Sequence, residues 1–177
     1  MEENKEKIII EVEGQDIQDE SAQIGVKNLR VLVFSLGGEN YCVEIKQVKE
    51  AVRMAQITEV PNTPEFIVGA MNLRGDIIAI IDIKQFFGLE AKEQTDLSRV
   101  IVTDILKSPV GILVDRVQNI LDIDEKDIQP PLSTLKAEVV QYTRGQVNFE
   151  DKIIVFLDFE KILNCQEIKT LRTGGVQ

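Results

Sequence analysis

An internal repeat constrains the fold of this chain more than any single motif does. Residues 66–88, FIVGAMNLRGDIIAIIDIKQFFG, match residues 142–164, YTRGQVNFEDKIIVFLDFEKILN, at a constant offset of 76. The polar or glycine positions that coincide are, in pairs, Gly69 with Gly145, Asn72 with Asn148, and Asp82 with Asp158. A weaker match upstream has an offset of 69. We therefore predict two similar units, 27–89 and 90–165, side by side with a cleft between them.

Short apolar runs with a period of two predict that the chain is mainly β. Residues 31–45 alternate in this way on either side of Gly37-Gly38, which is the pattern of a hairpin. Pro64 is placed to open a short helix that Gly69 ends. Further strands are predicted at residues 71–73, 77–81, 100–103, 110–114 and 153–157. Many short strands separated by Gly and Pro indicate small barrels or a sandwich.

Composition excludes several classes of function. The net charge is −10, so the chain would repel nucleic acid. There is no His, which excludes Ser-His-Asp and Cys-His mechanisms, and the two cysteines cannot supply a four-thiolate zinc site. Two cysteines also form no disulfide framework, so a reducing cytosol is the expected compartment. We expect neither a cofactor nor a metal.

The ends of the chain differ in character from its middle. Residues 1–26 contain eight acidic and two basic residues, and we predict a mostly disordered acidic tail with no export signal. Residues 166–177 are predicted to be a helix end and tail. The longest apolar runs are five residues, against the roughly 20 that a membrane-spanning helix requires. The chain is therefore not expected to cross a bilayer.

Asp82 and Asp158 place one carboxylate in each repeat, as the paired acids of aspartic proteases do. Each, however, ends a predicted strand and precedes a short helical run, at residues 83–87 and 159–163, which is the position of an N-cap. The protease signature of Asp, Thr or Ser, and Gly is missing at both sites. Helix capping is therefore favoured, and a two-lobed acid hydrolase is the alternative.

The tetrapeptide Asn72-Leu73-Arg74-Gly75 lies between two predicted apolar strands. Arg74 is therefore predicted at a hairpin tip, where Gly75 supplies any positive φ that the turn requires. An Arg on a rigid turn is suited to bidentate pairing with a carboxylate. That carboxylate could belong to a partner or to the second repeat, where Glu150 occupies the position that matches Arg74.

Three runs of the sequence resemble the CheW family of chemotaxis coupling proteins. They are VLVFSLGGENYCVEIKQVKEAV at residues 31–52, VPNTPEFIVGAMNLRGDIIAIIDIKQFFGL at residues 60–89 and VGILVDRVQNIL at residues 110–121. The resemblance extends over nearly all of residues 28–164. It implies two five-stranded SH3-like β-barrels, with a few short helices, around a hydrophobic groove, in agreement with the internal repeat.

The same resemblance implies which positions contact partners. They are Val48, Glu50, Gly69, Arg74, Arg99 and Gly111. Asn72 and Gly75, which belong to the same tetrapeptide as Arg74, are also predicted to contact partners. Arg99 departs from the family pattern, in which a smaller or apolar residue is expected. Gly69 and Gly111 are also explained by backbone geometry, and Val48 is also explained by core packing.

The function that the resemblance implies is that of a non-enzymatic scaffold. The family joins the cytoplasmic tips of transmembrane chemoreceptors to the regulatory domain of the CheA histidine kinase. The protein is accordingly expected in the cytoplasm, recruited to receptor arrays at the membrane. No kinase core or receiver domain fits after residue 164, which favours a stand-alone coupler over part of a larger signalling protein.

Overall fold

A computed structural model describes residues 10–11, 27–90, 93–106 and 108–173 of the chain. The strands are β1 (Ile10–Glu11), β2 (Asn28–Leu36), β3 (Glu39–Glu44), β4 (Glu50–Arg53), β5 (Ile57–Thr58), β6 (Ile67–Leu73), β7 (Asp76–Asp82), β8 (Arg99–Thr103), β9 (Val110–Val114), β10 (Arg116–Asp124), β11 (Thr143–Phe149) and β12 (Lys152–Leu157). The α-helices are α1 (Ala137–Val140), α2 (Phe159–Leu163) and α3 (Gln166–Thr173). Single 3₁₀ turns span Ile45–Gln47, Gln85–Phe87 and Glu125–Asp127. Neither α3 nor any shorter helix in the described ranges has the length and apolar character that crossing a bilayer requires.

The strands form two sheets, which confirms the mainly β prediction, and each sheet takes strands from both repeats. The first sheet has the order β1-β4-β8-β9-β7-β6-β5, and the second has the order β10-β2-β3-β12-β11. The β2–β3 hairpin of the first repeat therefore lies in the second sheet, and the β8–β9 hairpin of the second repeat lies in the first. The predicted units 27–89 and 90–165 thus do not correspond to one sheet each.

Two parallel strand pairs produce this exchange of hairpins. β7 pairs with β9, and β12 pairs with β3, in parallel. Every residue of β9 is buried, as are the last four of β3. Strands buried on both faces belong in the middle of a sheet, so each of these hairpins needs a further strand beside it. The last hairpin of the other repeat provides that strand.

The local structure of the matching segments in the two repeats is nevertheless the same. Gly69 and Gly145 both lie at breaks in strand register, and both have a φ of 149°. The backbone N–H groups of Asp82 and Asp158 each donate to the carbonyl oxygen three residues before the respective glycine, at 2.8 and 2.9 Å. Each repeat therefore contains the same bulged hairpin, and the end of its second strand bonds to the residue just before the start of its first strand.

The short helix predicted from Pro64 to Gly69 is wrong. The N–H of Ile67 donates to the carbonyl oxygen of Pro64 at 2.9 Å, which makes a turn, and β6 begins at Ile67. Pairing of β6 with β5 on one side and β7 on the other overrides the helix-start signal of Pro64. The second predicted helical run, Phe159–Leu163, is confirmed as α2.

Three hydrophobic clusters form the core. One lies within the first sheet, one within the second, and the largest joins the two sheets. In the joining cluster the rings of Phe34, Tyr41, Phe87 and Phe159 form a chain, with neighbouring centroids 5.7 to 6.2 Å apart. Burial of each such ring stabilises the fold by about 1.5–3 kcal/mol, so the two sheets are held together as one body.

A buried lysine makes a polar connection between the sheets. Lys84, which is 3% exposed, places its Nζ 2.9 Å from Oδ1 of Asp115 and 3.8 Å from Oδ2 of Asp82. The other oxygen of Asp115 accepts a hydrogen bond from the N–H of Gly37, in the β2–β3 turn, at 2.7 Å. A buried ammonium requires such pairing, so this network fixes the exchanged β2–β3 hairpin against the end of β7.

Candidate functional site

Arg74 lies at the tip of the β6–β7 hairpin, as the sequence predicts. The turn has two residues, Arg74 and Gly75, between the paired residues Leu73 and Asp76. Their φ angles are 52° and 98°, and positive φ at both positions is the geometry of a type I′ turn. The N–H of Gly75 donates to Oδ1 of Asn72 at 3.0 Å. A non-glycine residue held at positive φ costs about 1–3 kcal/mol, and such strain is concentrated at functional positions.

The guanidinium of Arg74 pairs with Glu50 at the start of β4. Nη1 donates to Oε1 at 3.3 Å, and Nη2 lies 2.9 Å from Oε2. The guanidinium therefore contacts both oxygens of the carboxylate. Glu50 is 5% exposed, whereas the Arg74 side chain is 56% exposed. A buried carboxylate therefore holds a guanidinium that faces solvent.

This ion pair shows that the first sheet is strongly curled. In the sheet order, β4 and β6 are separated by β8, β9 and β7. Neighbouring strands lie about 4.8 Å apart, so a flat sheet would place the turn between β7 and β6 about 14–19 Å from β4. That span is beyond the reach of one Arg side chain. Curling brings the two ends of the sheet together, and the pair of Glu50 and Arg74 connects them.

Four of the predicted contact residues therefore form one cluster, and the other four lie elsewhere. The cluster consists of Glu50, Asn72, Arg74 and Gly75. Val48 is buried in the core between the sheets. Arg99 is half buried and donates from Nη1 to the carbonyl oxygens of Asp96 and Ser98, both at 2.8 Å, so it fixes the loop before β8.

The two remaining predicted residues, Gly69 and Gly111, are required by close packing. A Cβ on Gly69 would lie 2.4 Å from the carbonyl oxygen of Thr58 in β5. A Cβ on Gly111 would lie 2.5 Å from Cγ1 of Val100 and 2.6 Å from Cδ1 of Ile80. Both glycines therefore allow strands or side chains to approach closely inside the first sheet.

An exposed apolar surface adjoins the cluster. Ile77, the cross-strand partner of Asn72, is 69% exposed on the outer face of β7. Beside it is an open pocket of about 470 Å³ lined by Ala55, Gln56, Thr58, Ala70, Asn72 and Ile77. The sequence does not show which face of β7 is outward, because residues 77–81 are continuously apolar.

The second sheet contains a buried carboxylate that sequence analysis missed. Glu44, at the end of β3, accepts a hydrogen bond from Nη1 of Arg144 at 2.7 Å, and Nζ of Lys46 lies 2.8 Å from its other oxygen. The guanidinium of Arg144 also lies 4.8 Å from the ring centre of Phe156. Arg144 lies within β11, and its side chain is 29% exposed. Arg74, in contrast, projects from a hairpin tip into solvent. Glu44 and Arg144 are 100 residues apart, so no local sequence pattern predicts that they pair.

Asp158 is the N-cap of α2, which confirms the favoured interpretation for the second repeat. In the first repeat the predicted run 83–87 forms only the 3₁₀ turn Gln85–Phe87, which begins after Lys84, so Asp82 holds the turn before it rather than capping a helix. Oδ1 of Asp82 accepts the backbone N–H of Lys84 at 3.0 Å. Oδ1 of Asp158 accepts the N–H of Glu160, in the first turn of α2, at 3.0 Å and Nε2 of Gln47 at 2.9 Å. Each carboxylate is thus engaged by its own neighbours, and no contact supports a shared catalytic proton.

Replacing Asp158 with alanine is expected to lower the free energy of unfolding by about 1 kcal/mol, because alanine cannot accept the N–H at the start of α2. Asp158→Asn should lose less, since an amide oxygen also caps. Urea unfolding of both variants measures the difference. Loss of a hydrolytic activity by Asp158→Asn at unchanged stability would contradict the capping role.

Burial raises the pKa of Asp82, against the opposing effects of the N–H and ammonium of Lys84. The folded state therefore takes up this proton first as the pH falls, and stability increases from neutral pH towards the unfolded-state pKa of about 4. Asp82→Asn retains the oxygen that accepts the N–H of Lys84 and never ionises. The stability of the wild type relative to this variant should therefore rise as the pH falls from about 7 to about 4. Urea unfolding of both proteins at both pH values tests this, and a stability difference that does not change with pH would contradict it.

Comparison with known proteins identifies the class to which this two-sheet architecture belongs. A family model described as "CheW-like domain" matches residues 30–167. The structure resembles the crystal structure of the scaffolding protein TtCheW from Thermoanaerobacter tengcongensis, with a TM-score of 0.70 and 35% identity over 80% of this chain and 91% of that one.

The chain is 33% identical to the chemotaxis protein CheW of Klebsiella aerogenes over 77% of this chain and 82% of that protein. It is also 28% identical to the chemotaxis protein CheW of Thermotoga maritima over 81% of this chain and 93% of that protein. This chain belongs to the CheW family of chemotaxis proteins.

Proposed function

We propose that this protein is an adaptor that couples the cytoplasmic tips of transmembrane chemoreceptors to the regulatory domain of the CheA histidine kinase. It acts in the cytoplasm at receptor arrays, through non-covalent contacts. The observation that carries the proposal is Arg74, which a buried Glu50 holds on a strained turn in a chain with a CheW-like domain.

The geometry of this turn suits protein recognition. The turn and Glu50 orient the guanidinium before any partner arrives, so little conformational entropy is lost on binding. Ile77 and the adjoining pocket add apolar contact area beside the charge. Arg next to apolar groups is the composition of many interaction hot spots. We call Asn72, Arg74, Gly75 and Ile77, with the buried Glu50 that supports them, the Arg74 surface.

The other predicted contact residues support the Arg74 surface through the fold. Val48 packs between the sheets, and Gly69 allows β5 to approach β6. Gly111 allows Ile80 and Val100 to pack across β9. We infer that substitutions at these buried positions alter partner binding by distorting the first sheet, and that direct contact is made by the Arg74 surface.

Isothermal titration of the full chain tests the adaptor role. We expect saturable binding of a receptor cytoplasmic fragment and, separately, of the kinase regulatory domain. A mixture of all three should give a ternary complex in size-exclusion chromatography. Binding of neither partner would overturn the proposal.

Ile77→Asp and Ile153→Asp form a matched pair that locates the contact. The two isoleucines occupy equivalent positions in the repeats and are 69% and 45% exposed. Both variants should keep their stability within about 0.5 kcal/mol, since little buried area is lost. Ile77→Asp should weaken binding of at least one partner by about 10-fold or more, and Ile153→Asp should leave both affinities nearly unchanged. Weaker binding by Ile153→Asp together with unchanged binding by Ile77→Asp would instead place the contact surface on the second sheet.

A further inference from the structure

The first sheet has a strand that lies outside the internal repeat. β1 pairs antiparallel with β4, with Ile10 opposite Ala51 and Glu11 opposite Glu50. The equivalent end of the second sheet is β10, and among the described residues no strand lies beyond it. The match to the CheW-like domain begins at residue 30. β1 is therefore an addition to the duplicated domain.

The position of β1 gives it a definite physical role. Without β1, β4 would be the edge strand of the first sheet, with a row of unpaired N–H and C=O groups. Such an edge accepts an extended peptide through main-chain hydrogen bonds, whatever the sequence of that peptide. In this chain β1 pairs with Glu50 and Ala51, the first two of the four residues of β4.

We propose that the β4 edge is a strand-docking surface, which the segment containing Ile10 and Glu11 occupies as a releasable strand in competition with a partner. The docking surface does not depend on the adaptor role, whereas the competition with a partner rests on it. The link between the two is the register, because Glu11 lies opposite Glu50, the residue that holds Arg74. A docked β1 thus lies beside the Arg74 surface.

Two features make this strand easy to release. Among the described residues the ladder of β1 contains two residue pairs, and a strand at the edge of a sheet opens at lower free-energy cost than a strand in its middle. The net charge of the N-terminal segment also favours release of β1. Residues 1–26 carry eight acidic and two basic residues out of 30 acidic and 20 basic in the whole chain, so the segment and the remainder are both net negative. Their long-range repulsion weakens docking.

Amide hydrogen exchange on the full-length chain tests whether the β4 edge is covered. Ile10→Pro removes the backbone N–H and cannot continue a ladder, whereas Ile10→Val keeps a strand-forming residue. We expect at least one of the Glu50 and Ala51 amides to exchange about 10-fold faster or more in the proline variant. The valine variant should match the wild type. Equal exchange in all three chains would overturn the docked strand.

A synthetic peptide of residues 5–14, KEKIIIEVEG, tests the surface in trans. Added in excess to the Ile10→Pro chain, it should restore slow exchange of the β4 amides. The same peptide carrying Ile10→Pro is the control and should give no protection. Failure of the unmodified peptide to protect would overturn the strand-docking surface.

Affinity for the kinase regulatory domain tests the competition. The Ile10→Pro chain should bind about 3- to 10-fold more tightly than the wild type, because the loss of one or two main-chain hydrogen bonds no longer opposes binding. Ile10→Val should be unchanged. If the β4 amides of the Ile10→Pro chain exchange faster but its affinity for the kinase regulatory domain is unchanged, the proposed competition is wrong. If no form of the chain binds the kinase domain, the adaptor role fails, and the exchange and peptide measurements still decide whether the edge docks a strand.

Discussion

Gly69→Ala is expected to lower the free energy of unfolding by about 2–5 kcal/mol, combining overpacking with backbone strain. The new Cβ would lie 2.4 Å from the carbonyl oxygen of Thr58 and 2.7 Å from Cγ2 of Ile57, at a φ of 149° that L-residues rarely adopt. The first clash is with backbone, so relief requires β5 to move away from β6. A thermal melt should show a midpoint lowered by roughly 4–20 °C.

The chain contains its own controls for this substitution. Gly145→Ala should be equally destabilising, because its Cβ would lie 2.4 Å from the carbonyl oxygen of Gln129 at the same φ. Gly75 also has a positive φ, of 98°, but a Cβ there would meet no atom within 4 Å. Gly75→Ala should therefore cost only the strain, about 1 kcal/mol. If Gly69→Ala were as mild as Gly75→Ala, the packing role of this glycine would be wrong.

Arg74→Glu is expected to lower both stability and partner affinity. The substitution leaves the buried carboxylate of Glu50 uncompensated beside a second negative charge, and loss of one member of a buried pair costs about 3–5 kcal/mol. Solvent around the half-exposed Arg74 reduces this to about 2–3 kcal/mol. Partner affinity should fall by about 10-fold or more. From the sequence alone, loss of binding at unchanged stability is favoured, and loss of both through an internal carboxylate such as Glu150 is the alternative. The structure shows an internal carboxylate, but it is Glu50.

The double variant Glu50→Arg, Arg74→Glu separates the two effects. It restores opposite charges, so part of the lost stability should return, although the longer Arg replaces a buried Glu. Partner affinity should remain low, because the exposed charge of the Arg74 surface is still reversed. Circular-dichroism melts and titration calorimetry on the same preparations give both values. An unchanged melting temperature for Arg74→Glu alone would show that the ion pair does not stabilise the first sheet.

Local signals account for what the sequence predicts correctly. The β2–β3 hairpin follows from alternation around two glycines, and α2 follows from the capping position of Asp158. The position of Arg74 at a hairpin tip follows from the apolar runs on either side of it. Each of these features depends on residues close together in the chain, where periodicity and turn chemistry act directly.

Long-range pairing accounts for what the sequence does not predict. The repeat shows that the two units contain similar hairpins, but it does not show which hairpins pair with each other. The exchange of hairpins between the two sheets therefore cannot be predicted from the repeat. β10, RVQNILDID, has no clean alternation and is a strand because β2 pairs along it. In the site, the contact of Glu50 with Arg74 depends on the curl of the whole first sheet. Curl is set by packing across several strands rather than by any local run of residues.

The exchange of hairpins also sets the order in which a growing chain can fold. All strands of the first sheet have been synthesised once the chain extends past Val114. Tyr41 in β3, in contrast, cannot pair with β12 until Val155 has been synthesised. The hairpin that is made early is therefore completed late, after a loop of more than one hundred residues has closed. Non-local pairings of this kind slow folding and leave strand edges open to other chains. A ribosome stalled at about residue 130 would display β3 as an unpaired template, so this protein should depend on translation speed and chaperones more than a tandem of two independent domains would.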